Sequence, residues 1–279
     1  MLRSIRDMEH YSIGATDGVI GKVQDFYFDD EAWVIRYLVV ESDAWLSHRK
    51  VLISPFAIGQ PDWSKKIFPV SITQTQVRNS PDIDTNKPVS RQHEMGYLGY
   101  YGYPNYWGGG GLWGAGLYPD ILQAGLGDDG SNAEHRSARS LKAGAGIRSL
   151  AARGLHDNPH LQSANAVMRY YVHATDGDIG HVDGLLVEEK TWAIRYIIVN
   201  TSNWWLGHKV LIAPEWINDV FWAESMLKVD LTRDAVKASP LYDSAIPLNR
   251  ELETGIYEHY GRDGYWPQRA THEGAASRL

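Results

Sequence analysis

The sequence predicts a mainly β protein in which one small barrel is used twice in tandem, each barrel followed by a short helix and an aromatic tail. Three observations carry this. Residues 2–107 lie over residues 161–266 without a gap, an offset of 159, and roughly a third of the overlaid positions are identical. The identities include Ala15-Thr16-Asp17-Gly18 with Ala174-Thr175-Asp176-Gly177, and Ile35-Arg36-Tyr37 with Ile194-Arg195-Tyr196. Such self-similarity marks one folding unit used twice. Within each copy, short runs rich in β-branched and aromatic residues alternate with turn signals, the pattern of strands. They are too few for two full sheets, and closing a small sheet removes edges that would otherwise aggregate.

The elements follow in order. Thr16-Asp17-Gly18 and Thr175-Asp176-Gly177 open each unit as tight turns, because Gly tolerates positive φ and Asp bonds its own backbone. Gly21 and Gly180, three residues on, fit a bulge or a bend at a barrel corner. Val19 to Phe28 and Trp33 to Val40 read as two antiparallel strands joined by Asp29-Asp30-Glu31. Ile179 to Val187 and Trp192 to Val199 repeat them through Glu188-Glu189-Lys190. Lys50 to Pro55 and Lys209 to Pro214 are short strands stopped by proline, and Ile67 to Ile72 and Met226 to Leu231 are the next. Thr73 to Ser80 and Thr232 to Ser239 then read as short helices with a Thr N-cap, ended at Pro81 and Pro240.

The echo continues past each barrel. Pro88, Arg91, Glu94, Gly96, Tyr101, Gly102, Tyr106 and Trp107 align with Pro247, Arg250, Glu253, Gly255, Tyr260, Gly261, Tyr265 and Trp266. Arg91 and Glu94 stand three apart, so on a helix they share a face and pair. The tyrosines after them need a surface to lie on: the other repeat, a second subunit or another protein. Trp107 to Gly127, with Gly108 to Gly111 in a row, reads as a flexible linker with sticky aromatic points. The expected domains are residues 1–95 and 161–248 for the barrels, 96–160 for a tail and basic linker, and 249–279 for a C-terminal aromatic tail.

Composition narrows the function. A chain of 279 residues suits about two domains, and 43% hydrophobic with 22% charged residues is ordinary for a globular protein. Cys is absent, which removes disulfides, thiolate metal sites and cysteine nucleophiles. No apolar run approaches the roughly 18 residues of a membrane span, and Met1 to Asp7 lacks a signal peptide's apolar stretch, so a cytoplasmic location is expected. The net charge of -7 and pI near 5.9 disfavour nucleic acid as a partner. Only Arg136, Arg139, Lys142, Arg148 and Arg153 form a basic run, which reads as a solvated linker.

The ordered set of Asp-Gly turn, Ile-Gly-x-Val strand, Trp-x-Ile-Arg-Tyr strand, Val-Leu-Ile-x-Pro strand and Ser-Pro closing turn resembles the PRC-barrel. That module is found in the cytoplasmic part of the H subunit of purple-bacterial photosynthetic reaction centres and in the C-terminal part of a ribosome maturation factor. The resemblance implies two PRC-type β-barrels in tandem. It also implies a bacterial protein whose role is to hold a partner: an assembly module, a peripheral subunit assisting proton uptake at a membrane electron-transfer complex, or a ribosome-associated factor.

No residue set points to catalysis. Thr-Asp-Gly is a turn and not the Asp-Thr-Gly of two-lobed proteases, so Asp17 and Asp176 are expected to be structural. No Lys and Ser or Thr follow Gly111 as a phosphate loop requires, and no Gly-x-Ser-x-Gly elbow is present. Of eleven histidines only His156 and His160 have chelating i, i+4 spacing, with Pro159 between them, so surface histidines are expected throughout. No enzyme, cofactor or metal is therefore expected. Trp33 with Trp192, Trp45 with Trp204 and Trp63 with Trp222 fall at equivalent places and read as barrel core or rim. Arg36 and Arg195 interrupt the most apolar strand of each copy and need a carboxylate, for which Asp25 and Asp183 are the candidates. Asp17, Gly18, Gly21, Asp176, Gly177 and Gly180 complete the structural set. Candidates for contact with a protein partner, or for repeat-repeat packing or a homodimer, are Tyr101, Tyr106, Trp107, Trp113, Trp205, Tyr260, Tyr265 and Trp266.

Overall fold

A computed structural model describes residues 1–81, 89–107, 109–114, 116–119, 160–201 and 208–266. Trp204, Trp205 and the basic run from Arg136 to Arg153 lie outside the described residues.

Each half is a strongly bent sheet grown on one long hairpin. In the first, β3 (Gly18–Asp29) pairs with β4 (Val34–Ser42), where the apolar runs and acidic turn predict it, and β4 pairs with β5 (Lys50–Ile53). On the other side β2 (Ser12–Ala15) pairs antiparallel with β3 and parallel with β6 (Ile67–Pro69). The second half repeats the plan with β8 (Tyr171–Ala174), β9 (Gly177–Glu188), β10 (Ile194–Asn200), β11 (Lys209–Ile212), β12 (Ile217–Phe221) and β13 (Met226–Val229). No ladder among the described residues joins β5 to β6. The link is made by the Ile58–Val70 bridge and by Gly59 N–H donating to the Pro69 carbonyl at 2.8 Å.

The opening turns do what their residues predict. Gly18 and Gly177 sit at φ 153° and 140°, and Asp17 and Asp176 accept from the backbone N–H of Gln74 and Arg233 at 2.7 and 2.8 Å. The turn thus holds the first residue of α2 (Gln74–Arg78) and of its mate α5 (Arg233–Lys237), whose N-caps are Thr73 and Thr232. Gly21 and Gly180 serve a close backbone crossing: a Cβ there would stand 1.9 and 2.0 Å from the carbonyls of Glu41 and Asn200.

The two sheets are not independent. β1 (Leu2–Ser4), from the first half, pairs with β9 of the second, and β7 (Leu161–Ser163), from the second half, pairs with β3 of the first. The short helices that follow, α1 (Ile5–Met8) and α4 (Ala164–Val167), pack on those same foreign strands and bury Ile5, Met8, Ala164 and Val167. Each sheet is thus finished by the other copy's arm, β1 lying with the second sheet and β7 with the first. The physical reason is edge coverage. β2 spans only the Gly18–Lys22 end of β3, and β7 covers the Tyr27–Asp29 end on the edge that β4 does not pair.

The exchange has a local two-fold centre. Val34 bridges Ala193, and Ile35 N–H donates to the Trp192 carbonyl at 2.9 Å while Ile194 N–H donates to that of Trp33 at 2.7 Å. Trp33 and Trp192 are both buried and both left-handed, with φ 53° and 59°. They belong to the junction between the halves, whereas the sequence assigned them to barrel core or rim. Polar pins follow the same symmetry: Arg3 meets Glu189 at 2.6 Å, and at the equivalent place Gln162 meets Asp30 at 3.2 Å. Asp25, the partner expected for Arg36, instead accepts from Ser163 Oγ at 2.5 Å and from Asn165 N–H at 3.1 Å. Asp183, expected to hold Arg195, pairs with Lys209 at 2.8 Å and Arg6 at 3.6 Å.

Beyond each sheet a longer helix docks back: α3 (Arg91–Tyr101) and α6 (Arg250–His259). No helix among the described residues is long and apolar enough to cross a membrane.

Candidate functional site: twin clefts at the junction

The strand arginines find their carboxylates at the hairpin turns. Arg36 bonds Asp29 at 3.2 Å and Arg195 bonds Glu188 at 2.6 and 2.9 Å, both seven residues back across the hairpin. Burial raises the Glu188 carboxyl, but the hydrogen bonds from Arg195 and Thr191 outweigh it and hold the group below its ordinary value. Each arginine then lies flat on the tyrosine of its own tail, Arg36 at 3.9 Å from the Tyr106 ring centre and Arg195 at 4.0 Å from that of Tyr265.

The tail motif is thereby explained. Glu94 and Glu253 are buried and pair with Arg91 and Arg250 at 3.4 and 3.0 Å, the i, i+3 contact that the sequence predicts. Each glutamate also accepts from the tail tyrosine, Tyr106 or Tyr265. Arg91 and Arg250 cover the rings of Trp107 and Trp266 at 4.3 and 4.1 Å. The surface needed by these aromatic residues is thus their own half of the molecule. Tyr101 packs on Tyr97 and Tyr103, and Tyr260 on Trp216 and His259. In the first half a histidine joins the cluster. His160 Nε2 lies 2.9 Å from Glu94 and 3.0 Å from the Tyr106 hydroxyl, and the residue is buried, which corrects the expectation of a surface histidine.

Two clefts flank the centre, and their walls correspond residue by residue. One, of about 290 Å³, is lined by Ile58 to Pro61, Trp63, Glu189, Lys190 and Trp192. The other, of about 540 Å³, has Ile217 to Val220, Trp222, Asp30, Glu31 and Trp33 at the equivalent positions, and runs deeper, to Arg195, Pro214, Glu215, Tyr257 and Tyr265. In the first half that depth is filled. Leu112 and Trp113 fold over it on a narrow hairpin whose Gly111 and Trp113 N–H groups donate to the Gly114 and Gly116 carbonyls, each at 2.8 Å. Trp113 packs edge-on against Phe56 with centres 4.9 Å apart, and its indole N–H donates to the Thr191 carbonyl at 2.8 Å. The Leu112 carbonyl accepts from Arg36 Nη1 at 2.5 Å.

The described part of the expected flexible linker is thus ordered, and Trp113, at 4% exposure, is an internal plug. Arg36 is sealed beneath it at 2% exposure, where desolvation lowers its pKa against the pull of Tyr106 and Asp29. Among the candidate residues the structure brings together Arg36, Tyr106, Trp107 and Trp113 in one cluster and Arg195, Tyr265 and Trp266 in its mate. Tyr101 and Tyr260 stand to the side. Asp29, Glu188, Thr191 and His160 are the site residues that sequence reasoning missed; the seven-residue hairpin spacing to each arginine was the available signal for the first two.

No curated protein matches the chain. The family model of the PRC-barrel domain matches residues 3–67, a span that runs from β1 to the start of β6 and carries Arg36 and the Asp17-Gly18 turn. The chain therefore carries a PRC-barrel domain over residues 3–67.

Proposed function

We propose that the chain is a non-catalytic assembly module in which two PRC-barrels, the second formed by residues 161–248, act as one body that holds a protein partner. The observation that supports this is the reciprocal exchange of β1 and β7. It fixes the two barrels against each other and creates, between them, a junction with one cleft filled and its twin open. Three charged pairs at the junction hold the architecture: Arg36 with Asp29, Arg195 with Glu188, and Arg3 with Glu189. A role of this kind predicts that the chain in its native cell extract travels in a discrete complex heavier than its own 31.4 kDa or a simple multiple of it. Size separation of the extract, with mass measurement of the fractions, tests this. Recovery only as the free chain or its homo-oligomer defeats the reading.

A further inference from the structure

We propose that the open cleft beside Arg195 is a docking site for a segment of a partner protein that carries a tryptophan with basic flanks. The segment would seat as the chain's own Leu112–Trp113 seats in the twin cleft. This rests on the assembly-module reading and names the chemistry of its partner.

The filled cleft shows what the frame accepts. Three groups hold the plug: an arginine Nη1 that donates to a peptide carbonyl, a carbonyl at the hairpin turn that accepts from the indole, and an aromatic floor of Phe56 and Tyr106. The open cleft offers equivalents of the first two, and a floor that is aromatic by partly different residues, since Glu215 stands where Phe56 meets the plug. Arg195 spends Nε and Nη2 on Glu188, and its Nη1 makes no hydrogen bond among the described residues. Ala32 stands where Thr191 stands in the twin; it is exposed, whereas Thr191 is buried under the plug. Tyr265, Tyr257 and Trp33 supply the floor. A volume of about 540 Å³ admits an indole with its neighbouring residue, since ligand sites begin near 300 Å³. Tryptophan is also the side chain most often found to dominate binding at such sites.

Charge sets the flanks. Where the filled cleft has Glu189, Lys190, Phe56 and Gln60, the open one has Asp30, Glu31, Glu215 and Asp219. Replacing one acid and one base by four acids turns a near-neutral wall into an anionic one. Lys or Arg beside the tryptophan is the complement.

The probe is a fluorescent peptide, Lys-Lys-Gly-Leu-Trp-Gly-Lys-Lys, titrated against the full chain by anisotropy. It is compared with a version in which Ala replaces Trp and one in which Glu replaces every Lys. The expected result is saturable binding, weakened about tenfold or more by either change and to the same degree by the double variant E215K/D219K. Both of those acids are exposed, although Glu215 also bonds the Tyr257 hydroxyl, so the far-UV spectrum of the variant, and the single variant D219K beside it, show that any loss of binding is not a loss of fold. Equal binding of the three peptides, or indifference to E215K/D219K, overturns the proposal. Binding only to a chain ended after Trp266 overturns it in favour of the chain's own residues 267–279 as occupant. Self-association abolished by E215K/D219K overturns it in favour of a second copy. If the native complex survives E215K/D219K unchanged, the assembly role stands and the cleft assignment fails.

Discussion

The two halves share one frame and differ in what is laid over it. Both hold a strand arginine on a hairpin carboxylate, both fold a Tyr-Trp tail under a buried glutamate, and both lend an arm to the other. Yet Arg36 is sealed under Trp113, while the side chain of Arg195 keeps 19% exposure at the end of a cleft. The repeated residues build the frame, and the segment outside the repeat decides which copy of it is closed. A function unique to this chain is therefore to be sought where the two halves stop matching.

The comparison is sharpest where the halves depend on each other. Deleting residues 1–8 removes β1 and α1 from the second sheet, including the fully buried Ile5 and Met8. At about 1.5–3 kcal/mol per buried side chain of this size, the chain should lose about 3–6 kcal/mol in urea denaturation. An unchanged midpoint would show that the exchange is not needed for stability. A second effect separates the plug from a tail tryptophan. Trp113→Ala empties a closed site and should cost about 3–5 kcal/mol, whereas Trp266→Ala, at a half-buried position, should cost about 1 kcal/mol. Equal losses would mean that Trp113 is no better enclosed in solution than the tail residue Trp266.

The smallest effect is in the pH dependence. Burial raises the Asp25 carboxyl against the pull of Ser163, so its folded pKa lies above the ordinary value, and stability from this group falls as pH rises through it. Glu188 is held low, so its contribution is present above its ordinary value of 4.5 and is lost as pH falls through the folded one. Relative to the parent, Asp25→Asn should gain stability as pH rises from acid to neutral, and Glu188→Gln should lose it. Parallel slopes for the two variants would remove the contrast.

Much of the frame was legible in sequence because it rests on local chemistry. The Thr caps, the Asp-Gly turns, the long hairpins and the Arg-x-x-Glu pair each follow from residues within a turn or a strand of one another. The exchange was not legible, because β1 and β7 are three residues long and such strands carry no periodicity. The arginine partners were missed for a related reason. A register shift between Val23 and Asp25 accompanies Asp25 turning to the incoming arm, and leaves Asp29 to meet Arg36. The glycine run misled in another way. A Cβ at Gly109 or Gly111 would strike the backbone of Gly114 or Gly116 at 2.2 or 2.3 Å, so glycine there permits a tight fold instead of a loose one.

Trp113 also sets the valence of the molecule. A body with two equal clefts would bind two identical segments, bridge them, and propagate into chains or gain avidity from a paired ligand. With one cleft occupied by its own residues, the proposed docking would take a single segment and end there, making the chain a cap in stoichiometric ratio instead of a cross-linker.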